Sequence, residues 1–328
     1  MVFQENINHS TLIYDCMNDR LGIIDLGTNT FHLLIVERST AGSRTLFHIS
    51  QAARVGEGGI NQKTITEAAT ERALNVLRFF RENLDKYEVA PKNTFAFGTS
   101  AIRNAKNSEA FCATIQKETN INIKVIDGNQ EAFYIYAGAR SALDLGDEAS
   151  MIMDIGGGSV EFIIGNQQQI YWKQSFEIGG QRLMEKFMRT DPLSDTDRRR
   201  LYNYFDEQLI PLANAIHQYA PTSIVGCSGS FDTLVEMDYY HRTGSGPSPD
   251  QTGFDLPLEE FYRTFEQLIT RNHDERMAIP GMVTLRVNMI VVAVCLIDYV
   301  LRIHKIQNLK VSTYALKEGV LAELIKNE

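Results

Sequence analysis

One acidic, glycine-bearing turn occurs twice in this chain, at residues 25–30 and again at residues 154–159. Each copy lies between two apolar runs, so the shared pattern is a strand, an acidic residue, a glycine turn that ends in a hydroxyl, and a second strand. Such a turn presents backbone N–H groups and a hydroxyl to an anion, and a carboxylate beside it can hold a hydrated cation. Two such turns that face each other would bind a phosphate chain and its metal from both sides. The residues that we expect to contact phosphate are Gly27, Thr28, Asn29 and Thr30 in the first turn and Gly156, Gly157, Gly158 and Ser159 in the second.

Acidic residues near the two turns are candidate metal ligands. Asp25 and Asp154 each lie where a predicted strand ends, and their carboxylates could bind a metal through water. Glu161 lies two residues beyond Ser159, so on a strand its side chain points to the same face as that hydroxyl. From spacing alone, Glu161 fits a metal-reaching carboxylate and an exposed strand glutamate equally well.

Three further segments place polar groups at the start of predicted helices. Residues 98–103 put a glycine and two hydroxyls before a helix that carries Arg103, which would suit an anion, although spacing alone favours a serine cap beside a surface arginine. Glu131 lies in the first turn of another helix, where a glutamate usually only complements the helix dipole; chemically, an ionised carboxylate there would also suit a base that orients water. The third segment is a Gly/Ser loop that we interpret as a third anion-contacting loop, formed by Gly226, Ser228, Gly229 and Ser230.

Composition limits the partners of this chain. A net charge of −9 argues against broad binding of nucleic-acid polymers or anionic membranes, so a phosphate substrate would need a local basic funnel. Candidates for that funnel are Arg103, Arg182 and residues 198–200, although such a charge run is usually a solvated helix face. The longest apolar run, residues 289–297, is much shorter than the ~20 residues that span a bilayer, and it predicts a buried helix. Four cysteines without paired spacing indicate reduced thiols and a cytoplasmic protein.

The order of predicted elements is that of an α/β protein, and its 328 residues predict two domains. Apolar spacing predicts a helix over residues 67–86 and a strongly apolar helix over residues 283–301. A long charged helix is expected to start at residues 191–194 and to run toward residue 212. Residues 242–257 are rich in Gly, Pro, Ser and Asp and predict an exposed loop, either inert or a lid. Residues 1–17 are polar, and we expect a mobile extension without a secretory signal.

Taken together, these motifs resemble those of the exopolyphosphatase / guanosine pentaphosphate phosphohydrolase family (Ppx/GppA), within the superfamily of actin-like proteins, sugar kinases and heat-shock ATPases. The resemblance runs from residue 22 to residue 319 and rests on residues 24–33, 98–103, 128–132, 154–159, 226–229 and 311–319. It implies two ribonuclease-H-like domains with an active-site cleft between them. We expect the first domain to comprise residues 1–129 with 311–328, and the second to comprise residues 130–310.

The resemblance also implies roles for single residues. Glu131 matches the family's catalytic glutamate, which activates or positions water, and Arg103 matches a phosphate-binding arginine. Asp25, Asp154 and Glu161 match acidic positions associated with Mg²⁺. The chain departs from the family pattern in having Val160 for a usual Thr, Asn288 for a usual acidic residue and Lys317 for a usual Arg. These departures concern substrate preference more than reaction class.

The resulting hypothesis is exopolyphosphatase activity, in which water attacks a terminal phosphoanhydride of inorganic polyphosphate in line with metal assistance. The first alternative is hydrolysis of guanosine pentaphosphate, since no feature of the sequence indicates a guanine pocket or excludes one. A kinase of the same superfamily and a non-catalytic actin-like filament or sensor protein are further alternatives. Oligomeric state stays open, with a homodimer as one option.

Overall fold

Two β-sheets carry the two glycine turns, and the computed structural model describes residues 19–39 and 42–326. The expected extension at residues 1–17 lies outside this range. The first sheet contains β1 (Asp19–Leu26), β2 (Thr30–Ser39), β3 (Gly42–Ala52), β4 (Thr94–Gly98) and β5 (Ile123–Val125), in the order β3-β2-β1-β4-β5. The second contains β6 (Ser150–Ile155), β7 (Val160–Gly165), β8 (Ile170–Phe176), β9 (Ser223–Cys227), β10 (Gly253–Asp255) and β11 (Asn308–Ser312), in the order β10-β11-β9-β6-β7-β8.

Apart from the edge strand β10, the two sheets have one topology. In each, the first three strands pair antiparallel, and the fourth and fifth then pair parallel on the other side of the first. Each glycine turn joins the first strand of its sheet to the second, so the repeat in the sequence is a repeat in the fold. This arrangement confirms the expected pair of ribonuclease-H-like domains.

Twelve helices accompany these strands in the described chain. The first half contributes α1 (Glu67–Lys86), α2 (Ser100–Arg103), α3 (Ser108–Thr119) and α4 (Gly128–Ala142). The second half contributes α5 (Gly180–Phe187), α6 (Asp195–Gln208), α7 (Ile210–Tyr219), α8 (Gly229–Thr243), α9 (Leu258–Thr270), α10 (His273–Met277), α11 (Met289–His304) and α12 (Leu316–Lys326).

Helices α4 and α12 lie between the two sheets. A core of buried apolar side chains joins both helices to both sheets and includes Ile23, Ile135, Ile152 and Val320. The two helices approach so closely that a Cβ on Gly319 would lie 1.7 Å from the carbonyl oxygen of Tyr134. Since α4 begins near Glu131 and α12 begins near Lys317, this packing fixes both side chains relative to the glycine turns.

Several expected boundaries differ from the structure for identifiable reasons. The charged helix is divided into α6 and α7, because Pro211 lacks the N–H that a continuous helix needs and instead lies in the first turn of α7. The apolar helix begins at Met289 rather than at residue 283, and the preceding residues form turns. The expected loop at residues 242–257 contains β10, which pairs antiparallel with β11.

The expected domain limits fall inside two elements. Residue 130 lies in α4, and residue 311 lies in β11, which pairs within the second sheet. The chain therefore turns back toward the first sheet only after Ser312, and the division into domains stays a prediction. The buried helix expected over residues 289–297 is confirmed as part of α11. Within residues 19–39 and 42–326, no helix combines the length and the hydropathy that crossing a bilayer requires.

Candidate active site

Most of the predicted site residues line one cavity of about 270 Å³ where the two glycine turns meet. Its walls include Asp25, Gly27, Thr28, Asn29, Thr30, Glu131, Asp154, Gly156, Gly157, Gly158, Ser159, Glu161, Ser228 and Gly229. Three predicted residues are outside this lining set. Arg103 reaches the site through Glu131, Gly226 packs against the ring of Phe231, and Ser230 is buried.

The cross-strand register explains how the acidic residues reach the cavity. Asp154 on β6 stands opposite Glu161 on β7, so both side chains lie on one face of the sheet. Glu161 is only 1% exposed, and its Oε1 accepts a hydrogen bond from Ser175 Oγ at 2.6 Å. The alternative of an exposed strand glutamate is therefore wrong. In the first turn, the residue opposite Asp25 is His32, so the two copies differ at this position.

The two glycine turns touch each other across the cavity. A Cβ on Gly158 would lie 2.5 Å from Thr28 Oγ1 and 2.6 Å from Ser100 Oγ. A Cβ on Gly157 would lie 2.9 Å from Asn29 Nδ2. The second turn thus requires glycine because side chains of the first half approach its backbone. From the sequence alone, a ligand was the only group expected to approach this backbone.

Burial and mutual repulsion raise the pKa values of the acidic residues in the cavity. Burial, reinforced by the charges of Glu131 and Asp154, raises the pKa of Asp25 to about 8. Burial likewise raises the pKa of Asp154 to about 6, against a hydrogen bond from Ser228 Oγ of 2.8 Å. The pKa of Glu161 is well above its usual range, again through burial and the same neighbouring carboxylates. These groups resist being ionised together, and a bound cation would relieve that repulsion.

Glu131 is held by an arginine that the sequence also identified. Arg103 Nη1 donates to Glu131 Oε2 at 2.6 Å and to the carbonyl oxygen of Ile126 at 3.3 Å. Burial raises the pKa of Glu131 to about 7, although the charge of Arg103 opposes the rise. The Asp127 side chain caps α4 by accepting from the backbone N–H of Gln130 at 2.8 Å, which orients the first turn that carries Glu131.

Two basic residues that line the cavity were not proposed as site residues from the sequence. Arg286 packs its guanidinium on the backbone of Gly229, where an added Cβ would lie 2.4 Å from Nη2. Lys317 lines the cavity from the first turn of α12, and its Nζ lies 2.9 Å from Glu318 Oε1. Burial lowers the pKa of Lys317, but the charges of Glu318 and Asp25 outweigh burial and leave it raised. Position 317 was noticed only as a departure from the family pattern.

The expected basic funnel is only partly present. Arg182 donates from Nε to the carbonyl oxygen of Gly158 at 2.7 Å and from Nη1 to that of Ile60 at 2.9 Å, so it joins the two halves. Residues 198–200 lie on α6 outside the cavity lining, and two of these arginines pair with aspartates of the same helix. Residues 198–200 therefore form a helix face rather than part of a basic funnel, which was the alternative interpretation of this charge run.

A cluster of hydrogen bonds to Glu177 was also not predicted from the sequence. Glu177 lies in the connection between β8 and α5 and accepts hydrogen bonds from Ser100 Oγ at 2.7 Å and from Arg103 Nη2 at 3.2 Å. It further accepts from Asn104 Nδ2 at 2.8 Å and from Arg182 Nη2 at 2.9 Å. We call this set the Glu177 clasp. A lone glutamate in a connecting segment carries no motif, so only the three-dimensional structure identifies it.

The acidic cavity offers carboxylate oxygens of the kind that Mg²⁺ takes as ligands. In the described part of the chain, no group of three His, Cys, Asp or Glu side chains is arranged to hold a metal directly. Mg²⁺ usually keeps several waters and takes one or two carboxylates together with substrate phosphates. The oxygen donors of Asp25, Asp154 and Glu161, whose pKa values are raised, match that chemistry.

The duplicated sheets and the facing turns define a protein with two ribonuclease-H-like halves, the fold of the actin-like ATPase type, and an acidic cavity lies where the turns meet. A family model described as the Ppx/GppA phosphatase family matches residues 35–328. The chain therefore belongs to the Ppx/GppA phosphatase family. The predicted family and the predicted enzyme class, a phosphoanhydride hydrolase, are confirmed at this level.

Individual relatives agree with this membership. The crystal structure of an exopolyphosphatase from Cytophaga hutchinsonii is 47% identical, has a TM-score of 0.91, and covers 94% of this chain and 98% of its own. Exopolyphosphatase 1 of Mycobacterium bovis is 24% identical and covers 94% of this chain and 89% of its own. A bifunctional 3-dehydroquinate synthase/phosphatase of Fusobacterium nucleatum is 32% identical over 65% of this chain, and the match spans only 33% of that longer protein.

Proposed function

We propose that this protein is an exopolyphosphatase, which releases terminal phosphate from inorganic polyphosphate by attack of water. The observation that carries the proposal is the convergence of two glycine turns and Glu131 on one cavity. The similarity to the Cytophaga hutchinsonii exopolyphosphatase supports the choice of substrate. Membership in a phosphatase family favours hydrolysis over the kinase and filament alternatives.

In the proposed reaction, Glu131 is the base. With a pKa of about 7, its carboxylate is ionised in a substantial fraction of molecules near neutral pH and can still accept a proton. It takes a proton from water as the water oxygen bonds to the terminal phosphorus. The bond from that phosphorus to the bridging oxygen breaks, and the shortened polyphosphate leaves with the bonding electrons.

The remaining site residues bind and orient the substrate. Backbone N–H groups and hydroxyls of the two turns donate to phosphate oxygens, and Arg286 and Lys317 add positive charge to the cavity lining. Asp25, Asp154 and Glu161 would hold Mg²⁺, which supplies charge neutralisation for the phosphate oxygens when it is bound. Closure of the two halves would shield the site from bulk solvent and retain the attacking water.

Guanosine pentaphosphate is a second candidate substrate, and one feature of the cavity favours it. Val283 and Leu285 line the cavity, and both are 39% exposed. An inorganic chain makes no use of such apolar surface, whereas a purine base would cover it.

One experiment distinguishes these substrates. Phosphate release is measured side by side from long-chain polyphosphate, tripolyphosphate and guanosine pentaphosphate, each with Mg²⁺ and with EDTA. We expect the highest kcat/KM on polyphosphate and loss of activity with EDTA. A higher kcat/KM on guanosine pentaphosphate would assign the second function, and no release from any of the three would refute both.

A further inference from the structure

A second cavity of about 170 Å³ adjoins the active-site cavity. The two cavities share Asn29, Thr30 and Leu285 as lining residues, so they meet at the first glycine turn. The other walls of the second cavity come from the loop after β3, from α5, and from the turns before α11 with its first residue. Its polar lining includes the amides of Gln181 and Asn288, which can donate to phosphate oxygens.

The boundary between the two cavities contains an amide with poor partners. Asn29 Nδ2 contacts the thioether sulfur of Met289, a weak hydrogen-bond acceptor, and the buried Oδ1 of Asn29 has no partner in the described chain. Methionine is unbranched and adapts its shape readily. A phosphate oxygen would therefore be a better hydrogen-bond acceptor for Asn29 Nδ2 than the sulfur is.

An exposed arginine, Arg54, stands at the second cavity. Arg54 lines it and is exposed, and no ion pair or hydrogen bond joins its guanidinium to another group within residues 19–39 and 42–326. The neighbouring acid, Glu57, lies 3.6 Å from Arg72 Nη2, which offsets its charge. Among the residues that the structure describes, Arg54 is thus a positive charge without an ion-pair partner beside the first glycine turn.

The backbone of Arg54 is fixed to that turn. Its φ is 46°, in the left-handed region that non-glycine residues rarely occupy. The Arg54 N–H donates to the carbonyl oxygen of Asn29 at 2.9 Å, and the Arg54 carbonyl accepts from Arg72 Nη2 at 2.8 Å. The unusual conformation is held by contacts on both sides, and it sets where the guanidinium can reach.

We propose that the second cavity is the path by which the polyphosphate chain leaves the active site, and that Arg54 binds phosphates beyond the scissile bond. This inference rests on the proposed exopolyphosphatase function and assigns that function a direction. Long chains reach Arg54, whereas tripolyphosphate ends near the glycine turns. Arg54 therefore contributes to affinity for long chains alone.

The test compares Arg54→Gln with a matched control, Arg199→Gln, which removes one exposed arginine of α6 that lines neither cavity. For Arg54→Gln we expect KM for long-chain polyphosphate to rise about tenfold, because one charge-assisted contact is lost. The KM for tripolyphosphate and the kcat values for both substrates should stay within about twofold of wild type. Arg54→Lys should recover much of the affinity, and Arg199→Gln should match wild type.

Equilibrium binding of long-chain polyphosphate with Mg²⁺, measured with Glu131→Gln added to each protein so that turnover is prevented, separates this inference from the proposed function. Wild-type protein that releases no phosphate from polyphosphate overturns the function. Weaker binding by Arg54→Gln than by wild type supports the path whatever the turnover. Equal binding of long chains by the two proteins, or an equal rise of KM for long and short substrates, overturns the path.

Discussion

Replacing Glu131 by glutamine should abolish most of the activity while leaving the protein at least as stable as wild type. The amide keeps an oxygen that can accept from Arg103 Nη1, so the contact of 2.6 Å can persist without the charge. The amide cannot accept a proton from water. General-base catalysis contributes about 10²–10⁴-fold to turnover, and we expect kcat to fall by that factor, or ~3–5 kcal/mol in activation free energy.

The stability change follows from the raised pKa of Glu131. Burial moves this pKa from its ordinary value of 4.5 to about 7, so between these pH values the folded protein keeps a proton that the unfolded chain loses. The free energy of unfolding therefore decreases as pH rises through that window. At pH values above the raised pKa, the total decrease in the free energy of unfolding is on the order of 3 kcal/mol. Glutamine removes this cost, so the variant should exceed wild type in stability at about pH 8 and approach it near pH 5.

Two measurements on the same protein preparations test this reasoning. Steady-state phosphate release from polyphosphate gives kcat, and denaturant unfolding at acidic and alkaline pH gives stability. The matched control is Glu109→Gln, which changes an exposed glutamate in the first turn of α3 and should alter neither quantity. Wild-type turnover in Glu131→Gln would refute the assigned base. A variant that is less stable than wild type at alkaline pH would instead show that the charged carboxylate stabilises the fold.

Three further predictions concern closure and the metal. Glu177→Gln should lower kcat about tenfold, because the clasp then no longer holds Arg103 through a charge, and an unchanged kcat would contradict that role. Gly158→Ala should lower the free energy of unfolding by ~1–3 kcal/mol, since its Cβ would lie 2.5 Å from Thr28 Oγ1; an unchanged denaturation midpoint would show that the turns can separate freely. Mg²⁺ should raise the melting temperature more at about pH 8 than at about pH 6. The reason is that acids such as Asp25, with its pKa of about 8, hold protons at the lower pH, and these protons compete with the ion. A larger rise in melting temperature at the lower pH would contradict binding of Mg²⁺ by these acids.

The sequence predicted those parts of the molecule that depend on local pattern. The helix expected over residues 67–86 is α1 (Glu67–Lys86), and the repeated turn correctly indicated a repeated sheet. The signals for turns and strands lie within a few adjacent residues. Each copy of the glycine turn could therefore be recognised from its own residues, and the two copies could be compared. The convergence of Asp25, Glu131 and Asp154 on one cavity was expected through the resemblance rather than through spacing.

Contacts between segments that are distant in the chain could not be predicted from the sequence. Arg286 sits against Gly229, and Glu177 reaches Ser100, because separate helices and turns pack together, and no periodicity encodes such pairs. The glycines of the second turn illustrate the limit well. Their presence indicated a close approach, but the approaching groups at Gly158 are the side chains of the first half as well as any ligand.

The acidity of the cavity constrains how a polyanion can bind there. The chain carries a net charge of −9, and the carboxylates of Asp25, Glu131, Asp154 and Glu161 face the same space in which phosphates would lie. Polyphosphate alone would be repelled, and these carboxylates without a cation repel one another. Mg²⁺ held by the carboxylates of Asp25, Asp154 and Glu161 would supply positive charge that offsets both repulsions. Metal and substrate should therefore bind with positive coupling, each raising the affinity for the other by the same factor.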